Sequence, residues 1–236
     1  MEPKILPESF FIKDNTIKIA KELLGKFLCT NIDGTGLTCG MIVEDECYLG
    51  PEDKASHAYN NLRSKRNESL YRQGGIAYVY LCYGIHNLFN VVTNKAGMPH
   101  GILIRAIEPV MGIDIMLKRR NKPVVQKNLT SGPGALTKAL GIDLRHNGIL
   151  IAGSYNNYNN KNKDQNRDRD RDRDREKKHQ IWVEDRGLTI SAQDIIATPR
   201  IGVDYAEDHA ELHWRFSIRN NKWVSESGNN KNNNKK

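Results

Sequence analysis

Acidic and aromatic residues alternate in one short stretch of this sequence, and they are the first candidates for chemistry. If residues 42–48 form a strand, Glu44, Glu46 and Tyr48 share one face, because side chains alternate between the two faces of a strand. A carboxylate beside a phenol can serve as a general base that accepts a proton from an attacking water. The same pattern is also typical of a solvent-facing strand, so a site here needs partners from elsewhere in the chain.

The candidate partners are aromatic and lie downstream. Tyr78 and Tyr80 are two residues apart and would share one strand face, and His57 follows a turn-forming segment, GPEDKASH. Aromatic rings that line a cleft can stack on a nucleobase, and their faces attract cationic rings. Taken singly, a tyrosine in a strand is typical of a packed core, and a lone histidine is typical of a surface. Only the whole set indicates a binding cleft.

The segments around these residues predict a sheet with a hairpin. Residues 40–48 have an extended pattern, and residues 76–83 and 87–93 are rich in tyrosine, valine, leucine and phenylalanine. The second and third of these segments flank Gly84, which predicts a β-hairpin with Tyr83 close to its tip.

Three further segments predict helices. Apolar residues recur at helical spacing over residues 14–29, and residues 109–120 and 133–140 each begin with a proline, which favours the first turn of a helix. Residues 103–107 continue the strand pattern. The mixture of strands and helices predicts an α+β fold.

The charge of the chain is a weak guide to its partner. The formal net charge is +8 at pH 7 and the isoelectric point is near 9.3, which would favour a polyanionic partner. However, more than half of the excess positive charge lies in two low-complexity stretches, and the rest of the chain is close to neutral. Basic tails occur on many proteins that never bind nucleic acid.

The low-complexity stretches set the expected domain limits. Residues 155–180 are rich in asparagine and in alternating arginine and aspartate, and residues 226–236 are rich in asparagine and lysine. Neither stretch has enough apolar surface to fold. We therefore expect one domain over residues 1–225, interrupted by a disordered insertion at 155–180 and followed by a disordered tail.

The cysteine pattern and the hydropathy exclude several classes of protein. Cys29, Cys39, Cys47 and Cys82 form no C-x-x-C pair, which predicts free thiols in a reducing compartment and neither a disulfide nor a metal scaffold. No apolar run reaches the length of about 18 residues that a membrane span needs, and the first residues lack a signal-peptide pattern. These features predict a soluble intracellular protein.

Five strings in a fixed order carry a resemblance to a known family. They are IVEDECYLGPEDKASHA, GGIAYVYLCYGIHNLFNVVT, GILIRAIEP, LTSGPGALTKALGI and PRIGV. Together they closely resemble the alkyladenine (3-methyladenine) DNA glycosylase family, over the chain from about Leu6 to Trp223 apart from the insertion. The fold that this resemblance implies is a single compact α+β domain around a curved, mainly antiparallel β-sheet, with flanking helices and a protruding β-hairpin that inserts into DNA.

The resemblance implies a catalytic pair. It makes Glu46 the general base and Arg105 its partner in holding the attacking water, with the backbone carbonyl of Ile201 as a third contact. A carboxylate at this place would also stabilise the positive charge that develops on the sugar as the base departs. From the residues alone, Arg105 could equally form a structural ion pair, for example with Glu108.

The resemblance also implies a pocket and a wedge. Tyr48, His57 and Tyr80 correspond to residues that hold a flipped base, and Asn90 to a residue that obstructs the exocyclic amino group of normal guanine. Tyr83 corresponds to the residue that enters the gap left by the flipped nucleotide. The alternatives are core packing for the tyrosines, a strand-end contact for Tyr83 and an edge position for Asn90. Cys47 and His86 depart from the residues usual in the family.

The implied activity is that of a monofunctional glycosylase. No lysine matches a catalytic motif, which favours a water nucleophile and an abasic-site product. His209 and His213 in HAELH lack the adjacent glutamate of a zinc protease, so we expect a helix face there and neither a metal nor a cofactor. The expected partner of a monomeric enzyme is double-stranded DNA with damaged purines, such as 3-methyladenine, 7-methylguanine, hypoxanthine or ethenoadenine. Downstream abasic-site repair enzymes are expected to follow.

Two alternatives remain at this stage. A non-catalytic sensor of damaged bases would use the same pocket, and a general nucleic-acid module would act through its basic tails. The asparagine-rich runs favour a eukaryotic source and hence the nucleus, whereas a bacterial source would place the protein in the cytoplasm at the nucleoid.

Overall fold

A single antiparallel sheet organises the chain in the computed structural model, which describes residues 2–32, 34–153 and 180–226. The strands are β1 (Lys4–Ile5), β2 (Phe27–Asn31), β3 (Leu37–Leu49), β4 (Ala77–Cys82), β5 (His86–Thr93), β6 (His100–Met111), β7 (Ile181–Asp185), β8 (Ile195–Thr198) and β9 (Arg215–Ile218). Their order in the sheet is β1-β7-β2-β3-β6-β5-β4, and β9 pairs with both β3 and β8.

Short helices flank this sheet. The α-helices are α1 (Glu8–Phe11), α2 (Thr16–Leu23), α3 (Ile113–Arg120) and α4 (Pro133–Leu140), and 3-10 turns lie at Tyr59–Asn61, Glu68–Tyr71, Lys127–Leu129, Leu144–His146, Ala192–Asp194 and Asp204–Glu211. The helix α2 packs on β3 and β6, while α4 packs on β5 and β6. None of the helices in the described ranges is both long and apolar enough to cross a membrane. The predicted α+β fold is confirmed.

The two parts of the chain on either side of the predicted insertion meet in this sheet. The strand β7 lies between β1 and β2, and Val183 is the register partner of Leu28. The insertion therefore separates strands that are neighbours in one sheet. The predicted disorder of residues 155–180 and 226–236 falls almost wholly on residues outside the described ranges, and the domain limits remain a prediction.

The helix predicted over residues 14–29 is too long. Asn15 caps the helix by accepting a hydrogen bond from the backbone N–H of Lys18 over 2.9 Å, but α2 ends at Leu23. Gly25 follows with a φ of +84°, and a side chain there would lie 3.0 Å from Ile190. The backbone reverses at this glycine. The apolar residues from Phe27 onward consequently belong to β2.

The prediction that Pro109 begins a helix is also wrong. The strand β6 continues through Pro109, where the register against β3 shifts between Cys39 and Gly40. A proline is tolerated at such an irregularity because the ladder loses no regular hydrogen bond there. The helix α3 begins only after Gly112, whose φ is +67°. By contrast, α4 begins at Pro133 as predicted.

The prediction of four free thiols is contradicted for one pair. Cys29 on β2 and Cys39 on β3 are direct register partners, and the structure joins them in a disulfide, whereas Cys47 and Cys82 are free. Their sequence separation of ten residues gave no motif, because the pairing arises from the register of two antiparallel strands.

Candidate active site

The acidic stretch of β3 faces Arg105 on β6 because β3 and β6 each carry an extra residue at this point. The register of β3 against β6 runs from Ile42 opposite Ile107 to Glu44 opposite Ala106, and then to Asp45 opposite Ile104. Arg105 is thus a bulged residue, and a bulge redirects a side chain. Its guanidinium lies between two carboxylates: Nε donates to Oε1 of Glu44 over 2.9 Å, and Nη1 lies 3.3 Å from Oε2 of Glu46. The ion pairs of Arg105 in the described structure are with Glu44 and Glu46, whereas Glu108 accepts a hydrogen bond from Asn221.

Glu46 is fully buried and well bound at both oxygens. Oε1 accepts the backbone N–H of Ile201 over 2.8 Å, and Oε2 accepts the hydroxyl of Tyr48 over 2.8 Å. Charge-assisted bonds of this kind hold a carboxylate in one orientation. The contact with Ile201 runs through its N–H, whereas the family resemblance implied a role for its carbonyl.

Glu44 fixes Arg105 from the other side. Oε1 of Glu44 accepts from Nε of Arg105 and, over 2.7 Å, from Nε of Arg215 on β9. Ser225 completes the set with its backbone N–H at 2.6 Å and its hydroxyl at 2.7 Å. Burial alone would lower the pKa of Arg105, but the Glu46 and Glu44 charges raise it above its ordinary value. Arg105 therefore stays charged and fixed.

Asp45 differs sharply from its two acidic neighbours. It is fully buried, and neither of its carboxylate oxygens has a hydrogen-bond partner among the described residues. Burial first, and then the charges of Glu44 and Glu46, raise its pKa well above the ordinary value. A carboxyl in this environment holds its proton. The environment of Asp45 therefore favours its protonated, neutral form.

Three aromatic residues build one wall of the site. Nδ1 of His57 lies 2.8 Å from the hydroxyl of Tyr78, and the ring of His57 meets that of Tyr80 edge to face with centroids 4.5 Å apart. Tyr78 and Tyr80 are stacked at 5.3 Å. Burial, and then the nearby Arg66 charge, lower the pKa of His57. Burial raises the pKa of both tyrosines. The wall is therefore aromatic and uncharged at neutral pH.

These residues enclose a cavity of about 470 Å³, within the range of roughly 300–1,000 Å³ that is usual for small-molecule sites. Glu46 is absent from the lining, while the three described residues that bind its carboxylate, Tyr48, Arg105 and Ile201, all line the cavity. The Nδ2 group of Asn90, which is also in the lining, donates to the carbonyl of Tyr78 over 3.1 Å. The lining brings together Tyr48, His57, Tyr80, Tyr83, Asn90, Arg105 and Ile201 from the sequence-predicted set.

The hairpin of β4 and β5 projects at the mouth of this cavity. Tyr83 occupies the turn with a φ of +49° and is 88% exposed, and Gly84 follows with a φ of +71°. A tyrosine that packs at a strand end would be buried. The exposure of Tyr83 therefore argues against the strand-end alternative. Its neighbour Ile85 is also exposed. The tip presents two large side chains to solvent.

A buried ion pair supports Tyr48, and sequence reasoning missed it. Arg200 binds both carboxylate oxygens of Asp53 at 2.5 and 2.9 Å and donates to the carbonyl of Cys47 over 2.8 Å. Its guanidinium carbon lies 4.8 Å from the centroid of the Tyr48 ring. Asp53 and Arg200 are 147 residues apart, so no local sequence pattern indicates that they pair. The string PRIGV, which contains Arg200 next to Ile201, was the available signal.

Two further lining residues were also missed. Tyr205 is 68% exposed and its hydroxyl donates to the carbonyl of Ala55 over 3.3 Å, and Arg66 donates to the carbonyl of Leu81 over 3.0 Å. The guanidinium of Arg66 lies 5.7 Å from the ring of Tyr80. The guanidinium of Arg66 therefore places a positive charge next to the aromatic wall.

Neither histidine of HAELH belongs to a regular α-helix face. His209 lies in a 3-10 turn, Asp204–Glu211, that has a kink at Glu207, and its Nδ1 accepts the backbone N–H of Lys54 over 3.3 Å. His213 lies beyond the end of this turn. The predicted helical spacing of His209 and His213 is therefore wrong.

Within the described ranges, one group could hold a metal by its composition. It consists of Cys29, Cys39 and Glu184, but the two sulfurs are bonded to each other and Glu184 accepts from Arg186. None of the three lines the cavity.

Comparisons with known proteins agree with this geometry. The family model described as methylpurine-DNA glycosylase matches residues 10–222. A protein of Chlamydia felis is 43% identical over 217 residues, which cover 91% of this chain and 96% of the relative. One of Clostridium perfringens is 40% identical over 227 residues, with 93% and 98% covered, and one of Bacillus mycoides is 40% identical over 224 residues, with 93% and 98% covered.

All three relatives carry the provisional name 3-methyladenine DNA glycosylase. They are bacterial, so they give no support to the nuclear location that the asparagine-rich runs favoured. The family match spans most of the chain and includes every residue placed around the cavity. This chain belongs to the methylpurine-DNA glycosylase family.

Proposed function

We propose that this chain is a monofunctional DNA glycosylase that receives a damaged purine, rotated out of the duplex, and hydrolyses its N-glycosidic bond. The observation that carries the proposal is the placement of Glu46. Its carboxylate is held directly behind a cavity with an aromatic wall by three residues that line that cavity. A nucleotide whose base lies against the aromatic wall would place its sugar C1′ near the carboxylate of Glu46.

In the proposed reaction, Glu46 accepts a proton from the attacking water as the water adds to the sugar C1′. The C1′–N bond breaks with its electron pair on the purine, so a cationic alkylated base departs neutral, and a neutral lesion takes up a proton from solvent as it departs. The negative charge of Glu46 stabilises the sugar cation that develops. Burial, and then the Glu46 charge, raise the pKa of Tyr48 well above the ordinary value. Tyr48 therefore remains a donor to Glu46 and does not compete as a base. Arg105 holds the carboxylate and the water in position.

The aromatic wall supports selectivity for damaged purines. Alkylation of a ring nitrogen makes a purine cationic, and each aromatic face attracts such a ring by roughly 0.5–2 kcal/mol. Because the pKa of His57 is lowered, this residue is neutral at pH 7 and does not repel the cation. Asn90, held by its bond to Tyr78, would meet the exocyclic amino group of a normal guanine. We propose 3-methyladenine, 7-methylguanine, hypoxanthine and ethenoadenine as the substrate class.

The product is an abasic site. In the described part of the chain no lysine lines the cavity, so the groups available for attack favour water over an amine. The bacterial relatives favour action on nucleoid DNA in a cytoplasm. We also propose that the chain acts as a monomer and that its product passes to abasic-site repair enzymes.

The substitution Glu46→Gln tests the proposal. The isosteric amide removes the general base, which typically accelerates a reaction by roughly 10²–10⁴-fold. The change leaves the cavity wall in place. We expect the variant to bind a hypoxanthine-containing duplex as tightly as the wild type while base release is lost. Glu68→Gln, an exposed change outside the cavity, is the matched control. Equal base release by the wild type and Glu46→Gln would remove Glu46 from the mechanism, and a wild type that binds the lesion but releases no base would favour the sensor.

A further inference from the structure

A second cavity, of about 490 Å³, adjoins the hairpin and is rich in positive charge. Arg119, Arg120, Lys138 and Arg145 line it, and among the described residues the lining contains one acidic residue, Asp143. The carboxylate of Asp143 is already bound by Arg145 at 2.8 Å. A concave surface with this excess of cations concentrates anions.

Two of these cations have no carboxylate partner within the described ranges. Arg120 donates to the backbone carbonyls of Leu129 and Asn128 over 3.2 and 3.0 Å, which leaves its charge uncompensated. Lys138 is exposed on α4, and its ammonium contacts no acidic group of the described chain. An ammonium on a flexible stem is well suited to a phosphate oxygen.

The helix α4 connects this cavity rigidly to the hairpin. The hydroxyl of Thr137 donates to the carbonyl of Asn87 at the start of β5 over 2.7 Å. A side chain at Gly134 would lie 2.9 Å from the ring of His86, so the glycine allows the hairpin to rest on the helix. The backbone of α4 that carries Lys138 therefore contacts the strand that leads from the hairpin tip.

We infer that this cationic cavity, defined by Arg119, Arg120, Lys138 and Arg145, binds the phosphate backbone of duplex DNA next to the nucleotide that enters the aromatic cavity. The two cavities share the hairpin and the start of α4: Tyr83 and Pro133 line the first, and His86 and Gly134 line the second. If the hairpin tip inserts into a duplex, the phosphate backbone of that duplex lies next to both cavities. The inference rests on the proposed function for its partner, and it adds the surface that positions that partner.

Salt dependence of binding tests the inference, with Lys138→Gln as the variant and Lys18→Gln as the matched control. Both lysines are exposed on helices, and Lys18 lines neither cavity. Each phosphate contact contributes about 0.9 to the slope of log K against log salt. For an undamaged duplex of 25 base pairs, we expect Lys138→Gln to weaken binding and reduce this slope by about 0.9, whereas Lys18→Gln leaves both unchanged.

Charge reversal makes the outcome sharper. Lys138→Glu should weaken binding further than Lys138→Gln, with melting temperatures like that of the wild type because the position is exposed. An unchanged slope in both variants, or an equal change in Lys18→Gln, would overturn the inference. Because the duplex is undamaged, the result does not depend on catalysis. Failure of base release from every lesion would reject the proposed function alone, and an unchanged slope beside normal base release would reject only this surface.

Discussion

Ile201 donates its backbone N–H to Oε1 of Glu46 over 2.8 Å, across a sequence separation of 155 residues. The bond joins the loop after β8 to the second half of β3, the longest of the described strands. Because the other oxygen is bound by Tyr48, the carboxylate has one defined orientation. The loop that fixes the carboxylate also lines the cavity, so in the proposed mechanism base binding and catalysis would depend on the same few contacts.

We expect Arg105→Lys to slow base release by roughly 10- to 100-fold while affinity for a lesion-containing duplex changes little. A lysine keeps the charge but cannot span Glu44 and Glu46 as the guanidinium does. Single-turnover release at saturating enzyme measures the effect. Arg219→Lys is the control, since the side chain of Arg219 donates to the carbonyl of Gln193, outside the cavity. A normal rate for Arg105→Lys would mean that Arg105 supplies charge alone.

Tyr83→Ala tests the hairpin tip. Removal of a ring that is 88% exposed should leave stability nearly unchanged, because little packing is lost. We expect weaker binding to a lesion-containing duplex and a smaller loss on the same lesion in single-stranded DNA, where no stacking gap needs to be filled. Tyr83→Phe keeps the ring and should behave as the wild type. Equal losses on both substrates would argue against a wedge.

Asn90→Ala tests discrimination against normal bases. Without this side chain, the exocyclic amino group of guanine meets open space, and we expect release of undamaged guanine to rise on the order of tenfold relative to hypoxanthine. Loss of the bond to the carbonyl of Tyr78 should cost about 1 kcal/mol of stability. Hypoxanthine release by the same variant is the internal control. A guanine-to-hypoxanthine ratio equal to that of the wild type would remove Asn90 from specificity.

Asp45→Asn tests the neutral acid in the strand. The pKa of Asp45 is raised in the folded state, so its protonated form favours folding, and this stability is lost as pH rises from the unfolded value near 3.8 through the folded value. In that window the wild type should lose up to about 1.4 kcal/mol of unfolding free energy per pH unit relative to Asp45→Asn. Urea unfolding of both proteins at pH 5 and pH 7 measures the difference. A constant difference would show that Asp45 is ionised throughout.

Local patterns predicted much of the fold and of the site. Alternation correctly placed Glu44, Glu46 and Tyr48 together, because side chains on a strand repeat every two residues. The hairpin followed from a glycine between two aromatic and β-branched runs, and Tyr83 lies in its turn as expected.

Features set by strand register or by distant contacts could not be predicted in this way. The bulge at Arg105 directs it to Glu44 and Glu46, and no pattern in GILIRAIEP reveals an extra residue. The pairing of Cys29 with Cys39 likewise depends on which residues of β2 and β3 face each other. The predicted length of α2 was wrong because the backbone reverses at Gly25, which has a left-handed conformation, although the apolar pattern continues beyond it.

The most direct test of the central claim is detection of free base after incubation of the wild-type protein with damaged DNA. Duplexes that carry hypoxanthine or ethenoadenine, and DNA treated with a methylating agent, should each release the damaged purine and leave an alkali-sensitive abasic site. Undamaged DNA should release far less, and Glu46→Gln should release none from any substrate. Intact damaged bases after saturating wild-type enzyme, in DNA that the enzyme demonstrably binds, would contradict the account.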